Sequence, residues 1–450
     1  MQETLLRTKL FLPPPKPNLV PRPRLIERLN QGLHLGHKLT LISAPAGFGK
    51  TTLIADFGLR AAESNTPHSA FGNPHLCWLS LDENDDDLTR FMTYLVAAVA
   101  APGGVGALHP SGSKREAPLL DQDVITHYAN ARPPDVETLM MILINEITAV
   151  SGHLILILDD YQVISLAEIH KALAFLLEHM PPNMHLVIGT RADPPLALPR
   201  LRGRGQMTEI RQRDLRFSAE EAAQFLQRTT GLSLTAEEAA VLAERTEGWA
   251  TGLQMAAISL GGSDDVDGFI QQFTGSNRHV LDYLLIEVLE GQPQEIQTFL
   301  LTTSILERLS APLCEALMDG VDQQVPAQQI LEQLDRSNLF VTPLDNERGW
   351  YRTHRLFSDL LRFTLRSTMP EKIPLLQRRA SGWFEENGFV VEAIDHALAA
   401  GDFERSARLL EAHAGGFLTR GEIALLLRWL DALPDAVIVD RPSLCIYHAW

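Results

Sequence analysis

The chain has 450 residues, a formal net charge of −17, and 45% hydrophobic against 21% charged residues, which describes a folded protein of several domains and not a disordered one. The acidic balance argues against a DNA-reading module, which needs a clustered basic face that the short basic runs at 200–204 and 211–216 do not supply. No apolar run approaches the ~20 residues that cross a bilayer. Arg7, Lys9 and three prolines spoil the start as a signal peptide, and three dispersed cysteines suggest neither disulfides nor zinc. A cytoplasmic protein without a membrane partner is expected.

Residues 1–24 form a proline-rich lead-in, because proline's fixed φ keeps 13–23 out of helix. Helical apolar spacing follows over 25–35, then a short apolar strand at 38–43, a glycine-bearing loop and a helix from Lys50. Further strands are predicted at 76–81, 154–158, 185–189 and 214–217, alternating with helices over 88–101, 136–150 and 169–179. The segment 102–134 has no sustained period and reads as a surface insertion. Short apolar strands alternating with helices predict a parallel sheet covered on both faces, as a domain spanning 25–217.

Beyond Phe217 the strands give way to helices. Ser218-Ala-Glu-Glu221 and Thr235-Ala-Glu-Glu238 are capping boxes that open helices at 219–229 and 236–246, followed by 250–260 and 280–290, in a helical lid over 218–292. Residues 293–370 mix helices with a strand–turn–strand, 339–342 and 351–353 around Asp345–Gly349, a pattern suited to a winged helix. From 371 to 450 only helices are predicted, at 376–386, 391–399, 403–412 and 423–433. The small residues Ala393, Ala397, Ala399, Gly401 and Ala407 suit the start of a TPR-like helical repeat array. The fold class is therefore multidomain α/β plus α. The array ends without a polar cap, so a longer parent protein is expected.

The chemistry is concentrated at the first strand. Ala44-Pro-Ala-Gly-Phe-Gly-Lys-Thr-Thr52 leaves a strand and opens a helix, as a Walker A phosphate loop does, with Ala44 in place of the first consensus glycine. Backbone N–H groups from Ala46, Gly47, Phe48, Gly49, Lys50, Thr51 and Thr52 would cradle the phosphates of ATP or ADP. Lys50 would bridge the β- and γ-phosphates, and the Thr51 hydroxyl would ligate Mg²⁺. The apolar strand ending in Asp159 and Asp160 supplies the other half. Asp159 is expected beside Mg²⁺, and Asp160 is expected to orient or deprotonate water. Arg191, at the end of the next strand, would sense the γ-phosphate. The acidic run 82–87 lacks the glycine and terminal glutamate of a calcium loop, and His34 with His37 make too few ligands for a metal.

These and further segments, taken in order, resemble one family. They include Val20-Pro-Arg-Pro-Arg-Leu25, Trp78-Leu-Ser-Leu-Asp82, Leu158-Asp-Asp-Tyr161, Asp214-Leu-Arg-Phe217, Glu247-Gly-Trp-Ala250 and Tyr351-Arg-Thr-His-Arg-Leu-Phe357. Together they are similar to the MalT-like, ATP-dependent LuxR-family regulators, members of the STAND class of signal-transduction NTPases. The resemblance implies a switch in which ADP holds a closed state, while ATP and a small-molecule or protein inducer favour a self-associating one. It places adenine contacts at Val20 and Arg24 and a β-phosphate sensor at His354, and it implies slow hydrolysis that resets the switch. Trp249 falls at the family's Gly-Trp-Ala position, where core packing is expected. DNA would be met only by a C-terminal helix-turn-helix that this chain does not contain. A STAND scaffold working through protein assembly, and an ATPase whose turnover is the purpose, stay open as alternatives.

Overall fold

The structure, a computed structural model, describes residues 5–14, 16, 18–63, 74–100, 136–232, 234–261, 266–275, 277–320, 325–345, 347–439 and 441–449; the expected insertion at 102–134 and Trp450 lie outside the described residues. The chain divides into two compact units, Met1–Gln271 with Arg336–Asn338, and Gln272–Asp335 with Leu339–Trp450.

The first unit is built on a sheet whose described strands are β1 (Leu39–Ser43), β2 (His75–Ser80), β3 (Leu154–Asp159), β4 (Met184–Thr190) and β5 (Met207–Arg211). They run parallel in the order β2-β3-β4-β1-β5. Strands β1, β3 and β4 are buried at every residue, which is why their sequences are mostly apolar and do not alternate, with Thr40 and His185 buried as a hydrogen-bonded pair. Helices α1 (Pro23–His34), α2 (Lys50–Glu63), α3 (Leu88–Ala100), α4 (Val136–Ala149), α5 (Ala167–Glu178) and α6 (Leu198–Gly203) accompany the sheet. Phe91, Leu95 and Val99 repeat every four residues along α3, and all are fully buried in a core shared with Leu41, Leu156 and Ile188. Each such side chain contributes about 2 kcal/mol by leaving water.

One strand expectation is corrected. The fifth strand is Met207–Arg211, and the predicted strand at 214–217 begins instead inside a single helical turn, Gln212–Leu215. Asp214 decides this locally, since its carboxylate accepts the Arg211 N–H at 2.8 Å and closes a turn. β5 is an edge strand with Glu209 and Arg211 only partly covered, so it lacks the apolar run that marks its neighbours.

Helices α7 (Ala219–Thr230), α8 (Ala236–Arg245) and α9 (Ala250–Leu260) follow. Both capping boxes form: Ser218 with Glu221 opens α7, and Thr235 with Glu238 opens α8. The lead-in is tied down at Lys9 and at Arg22. Lys9 is buried against Asp82 at 2.7 Å and Asp85 at 2.6 Å. Burial opposes its charge, yet hydrogen bonds and attraction from both carboxylates hold its pKa above the usual lysine value. Arg22 pairs with Glu221 at 2.9 Å and donates to the carbonyls of Leu215 and Arg216.

The second unit starts at Gln272, and the helix expected at 280–290 appears there as an α-helix, Arg278–Leu284, running into a π-helical turn, Leu285–Leu289. Then come α10 (Gln294–Thr303), α11 (Ala311–Met318), α12 (Ala327–Arg336) and the hairpin β6 (Val341–Pro343) to β7 (Tyr351–Thr353), followed by α13 (Arg355–Thr368). Asp345 closes the hairpin turn by accepting the N–H groups of Gly349 and Trp350, both at 2.9 Å. Helices α14 (Ile373–Glu386), α15 (Val390–Ala399), α16 (Phe403–Thr419), α17 (Ile423–Asp431) and α18 (Pro442–Ala449) then follow one another. Buried Ala380, Ser381, Ala393, Ala397, Ser406 and Ala407 let α14, α15 and α16 approach closely. Helix α16 runs through Gly415 and Gly416, past the expected end at 412, because burial of Ala414 and Phe417 outweighs about 1 kcal/mol of helix penalty per glycine. No described helix is long and apolar enough to cross a membrane.

Candidate functional site

Strand β1 delivers the chain to the carboxyl edge of the sheet, where 44–49 forms a loop before α2 starts at Lys50. Gly47 and Gly49 hold φ of 77° and 78°, left-handed values that side-chain-bearing residues adopt only with strain. The Lys50 ammonium folds back over the loop and donates to the carbonyls of Ala44 and Pro45, both at 2.9 Å. It is 7% exposed. Burial, and after it the neighbouring Arg191, lower its pKa to about 8 against the pull of Asp160 and Asp159. A cation held there is short of negative charge, and anionic oxygens would stabilise it. Phe48 is buried, while Thr51 and Thr52 are half-buried at the start of α2.

Because β4 lies between β1 and β3, the ends of all three strands meet at this edge. Asp159 ends β3. Burial and then Asp160 push its carboxyl up to about 6, while a hydrogen bond from Thr51 acts the other way. Its Oδ1 is buried without a hydrogen-bond partner. Gly189 of β4 makes room for that oxygen, since a Cβ there would lie 2.5 Å from it. Asp160 sits at φ 57° and accepts Gln162 Nε2 at 3.0 Å, while Gln162 Oε1 accepts the Arg191 N–H at 2.9 Å. Gln162 thus links Asp160 to Arg191. No motif in the sequence singled it out, since its role depends on β3 and β4 being neighbours.

The carbonyl side of the loop faces α9. Trp249 is fully buried, as expected of a core ring, and lies 6.5 Å from the Phe48 ring. It does more than pack: its Nε1 donates to Ala46 O at 3.0 Å. Thr251 donates to Gly47 O from both its hydroxyl, at 3.1 Å, and its backbone N–H, at 3.0 Å. Thr251 was not legible as a site residue, because only the docking of α9 brings it to the loop.

In the lead-in, Val20 is buried and Arg24 donates to the carbonyls of Asp214 at 2.8 Å and Arg216 at 3.1 Å. A cavity of about 110 Å³ lies beside Thr51, Thr52, Ala55 and Asp56, lined on its other side by Pro13, Pro14, Lys16 and Leu19. His354 lies in the second unit, 4% exposed, at the start of α13, with its backbone N–H bonded to Phe340 O at 2.7 Å. Its ring stands edge-on to Phe340 at 5.4 Å. The acidic run is structural here: Asp85 pairs with Lys9 and Arg90, and Asp86 accepts the N–H groups of Ser165 and Leu166. His37 is bonded to Thr208 at 2.8 Å.

Residues 285–373 match the MalT winged helix domain. Over 449 residues, 99% of its length, the chain is 35% identical to the HTH-type transcriptional regulator MalT of Yersinia pestis and 34% identical to that of Yersinia enterocolitica. It covers 46% of each, so the chain spans about half the length of these curated relatives. Among solved structures it shares the fold of a Walker-type ATPase of Pyrococcus abyssi, with a TM-score of 0.54 and 14% identity over 78% of this chain and 98% of that one.

Proposed function

We propose that the chain, which is similar to MalT regulators over 99% of its length and to the MalT winged helix domain over residues 285–373, is the nucleotide-binding switch of a transcriptional regulator of the STAND class. The carrying observation is the buried Lys50 ammonium set beside the unpartnered Oδ1 of Asp159. Phosphates would satisfy the first and, through a cation, the second. Loop amides from Ala46 to Thr52 would hold the phosphates of ATP or ADP. The Thr51 hydroxyl and the Asp159 carboxylate are hard oxygen donors of the kind Mg²⁺ takes. Bound there, Mg²⁺ would neutralise phosphate charge. Asp160, held by Gln162, would orient water, and Arg191 would face the terminal phosphate, so that slow hydrolysis resets the switch. The cavity beside Thr52 and the Val20–Arg24 segment suit the nucleoside end.

In this reading 218–292 is a lid, 293–370 a winged-helix domain and 371–450 the first part of a repeat arm. ATP and ADP can shift a closed–open balance only by their difference in affinity for the two states. His354 enters on the family resemblance, as the residue that makes ADP the locking ligand. An inducer, self-association in the active state and a DNA-reading element outside this chain complete the proposal.

Protein purified without added nucleotide is expected to carry ADP, read by chromatography of the denatured sample. Lys50→Ala should weaken ATP and ADP binding by about a hundredfold or more, since it removes a buried charge-assisted contact. Tight binding by that variant would overturn the assignment. His354→Ala should speed ADP release.

A further inference from the structure

Two consecutive peptide units of the phosphate loop are held from behind by α9. Ala46 O is bonded by the Trp249 indole at 3.0 Å, and Gly47 O by the Thr251 hydroxyl and N–H at 3.1 and 3.0 Å. A trans peptide is planar, and its C=O and N–H point in opposite directions. Tying the Ala46 carbonyl to Trp249 therefore turns the Gly47 N–H away from α9. Tying the Gly47 carbonyl to Thr251 does the same for the Phe48 N–H.

The fit around these bonds is tight. A Cβ on Gly47 would lie 2.4 Å from Thr251 Oγ1 and 2.8 Å from Trp249 Nε1. A Cβ on Gly252 would meet the Trp249 ring at 2.6 Å. The turn entering α9 is also constrained, with Glu247 at φ 49° and Gly248 at φ 67°. There Gly248 lies so close to the chain leaving the sheet that a Cβ would be 2.5 Å from Phe217 O, and Phe217 N–H donates to Gly248 O at 2.9 Å. Arg216 pairs with Glu247 at 3.2 Å across the same junction.

We infer that Trp249 and Thr251 are positioning residues for polyphosphate: they preset the Gly47 and Phe48 amides toward the phosphates and so couple the docking of α9 to nucleotide occupancy. This rests on the nucleotide reading above and adds its means of regulation. A loop without these bonds must order its peptides when phosphate arrives, which weakens binding. By reciprocity, phosphate in the loop strengthens the docking of α9 by the same factor.

The test uses the whole chain and two conservative variants. Trp249→Phe keeps a buried ring without the donor, and Thr251→Val keeps the shape without the hydroxyl. Each should weaken ADP about three- to tenfold, the worth of one net hydrogen bond, and leave adenosine affinity unchanged. In the unaltered protein, ADP should slow hydrogen exchange of the backbone across 246–253. Equal loss for ADP and adenosine, unchanged ADP affinity in both variants, or no added protection with ADP would each overturn the inference. If Trp249→Phe fails to fold, Thr251→Val and the exchange measurement decide. Undiminished ADP binding by Lys50→Ala would instead remove the nucleotide reading itself, whatever the two variants do.

Discussion

The carboxyl edge of the sheet in the first unit and the helical hairpins of the second both bury polar groups, but of different kinds. At the sheet edge, Lys50 and Asp159 are charged groups whose pKa values burial moves to about 8 and about 6. Among the hairpins, Ser381 and Ser406 are neutral, and each donates to a carbonyl, Ser381 to Ala393 at 2.8 Å and Ser406 to Asp402 at 2.9 Å. The hairpins keep their charges near solvent, as in Arg408 with Glu385 and Arg420 with Glu422. Buried charge short of a partner destabilises a fold, whereas a buried hydroxyl that is satisfied does not. The contrast separates a place where charge is held at a desolvation cost from a place that is finished as packing.

Substitution at Gly47 probes the contrast most strongly. Gly47→Ala combines a left-handed φ with a collision against Thr251 and Trp249, and should lower the stability of the first unit by about 3 kcal/mol. Gly49→Ala has the same kind of φ but nothing within 4 Å, and should lose about 1 kcal/mol. Urea unfolding would compare them, and equal losses would mean that α9 does not press on the loop.

Acid acts on both regions alike. Burial lowers the pKa of His185 in β4 and of His396 in α15 to about 4. Each is neutral in the folded chain and protonates near 6.5 when unfolded. The stability it leaves intact above that pH is lost as the pH falls from about 6.5 to about 4, by up to about 3 kcal/mol per histidine. The urea midpoint followed from about pH 7 to about pH 4 should fall across this window, and His185→Gln should flatten the dependence in the first unit.

A smaller and sharper pair of effects has opposite signs. Asp159→Asn removes a carboxylate that burial disfavours, and should raise stability at pH 7 by about 2 kcal/mol while weakening Mg²⁺-dependent nucleotide binding. Ser381→Ala removes a satisfied donor and should lower stability by about 1 kcal/mol. Thermal unfolding measured with and without Mg²⁺-ATP reads both.

Strands β1, β3 and β4 were legible because central parallel strands must be apolar on both faces, and β5 was misplaced because an edge strand need not be. The capping boxes at Ser218 and Thr235 were readable because they are closed within four residues. The extension of α16 through two glycines was not, because distant packing outweighed local propensity.

By itself the sequence determined the glycine-bearing loop between β1 and α2, the aspartate pair at the end of β3 and just beyond it, and the helices that follow the sheet, since each depends on residues adjacent along the chain. The tertiary structure alone decided that Gln162 joins Asp160 to Arg191, and that Trp249 and Thr251 hold the backbone of the loop. Those bonds span up to 204 residues of chain, as from Thr251 to Gly47. Side-chain type carries no mark of a partner that only folding brings within hydrogen-bonding reach, and a carbonyl acceptor, which every residue owns, carries none at all.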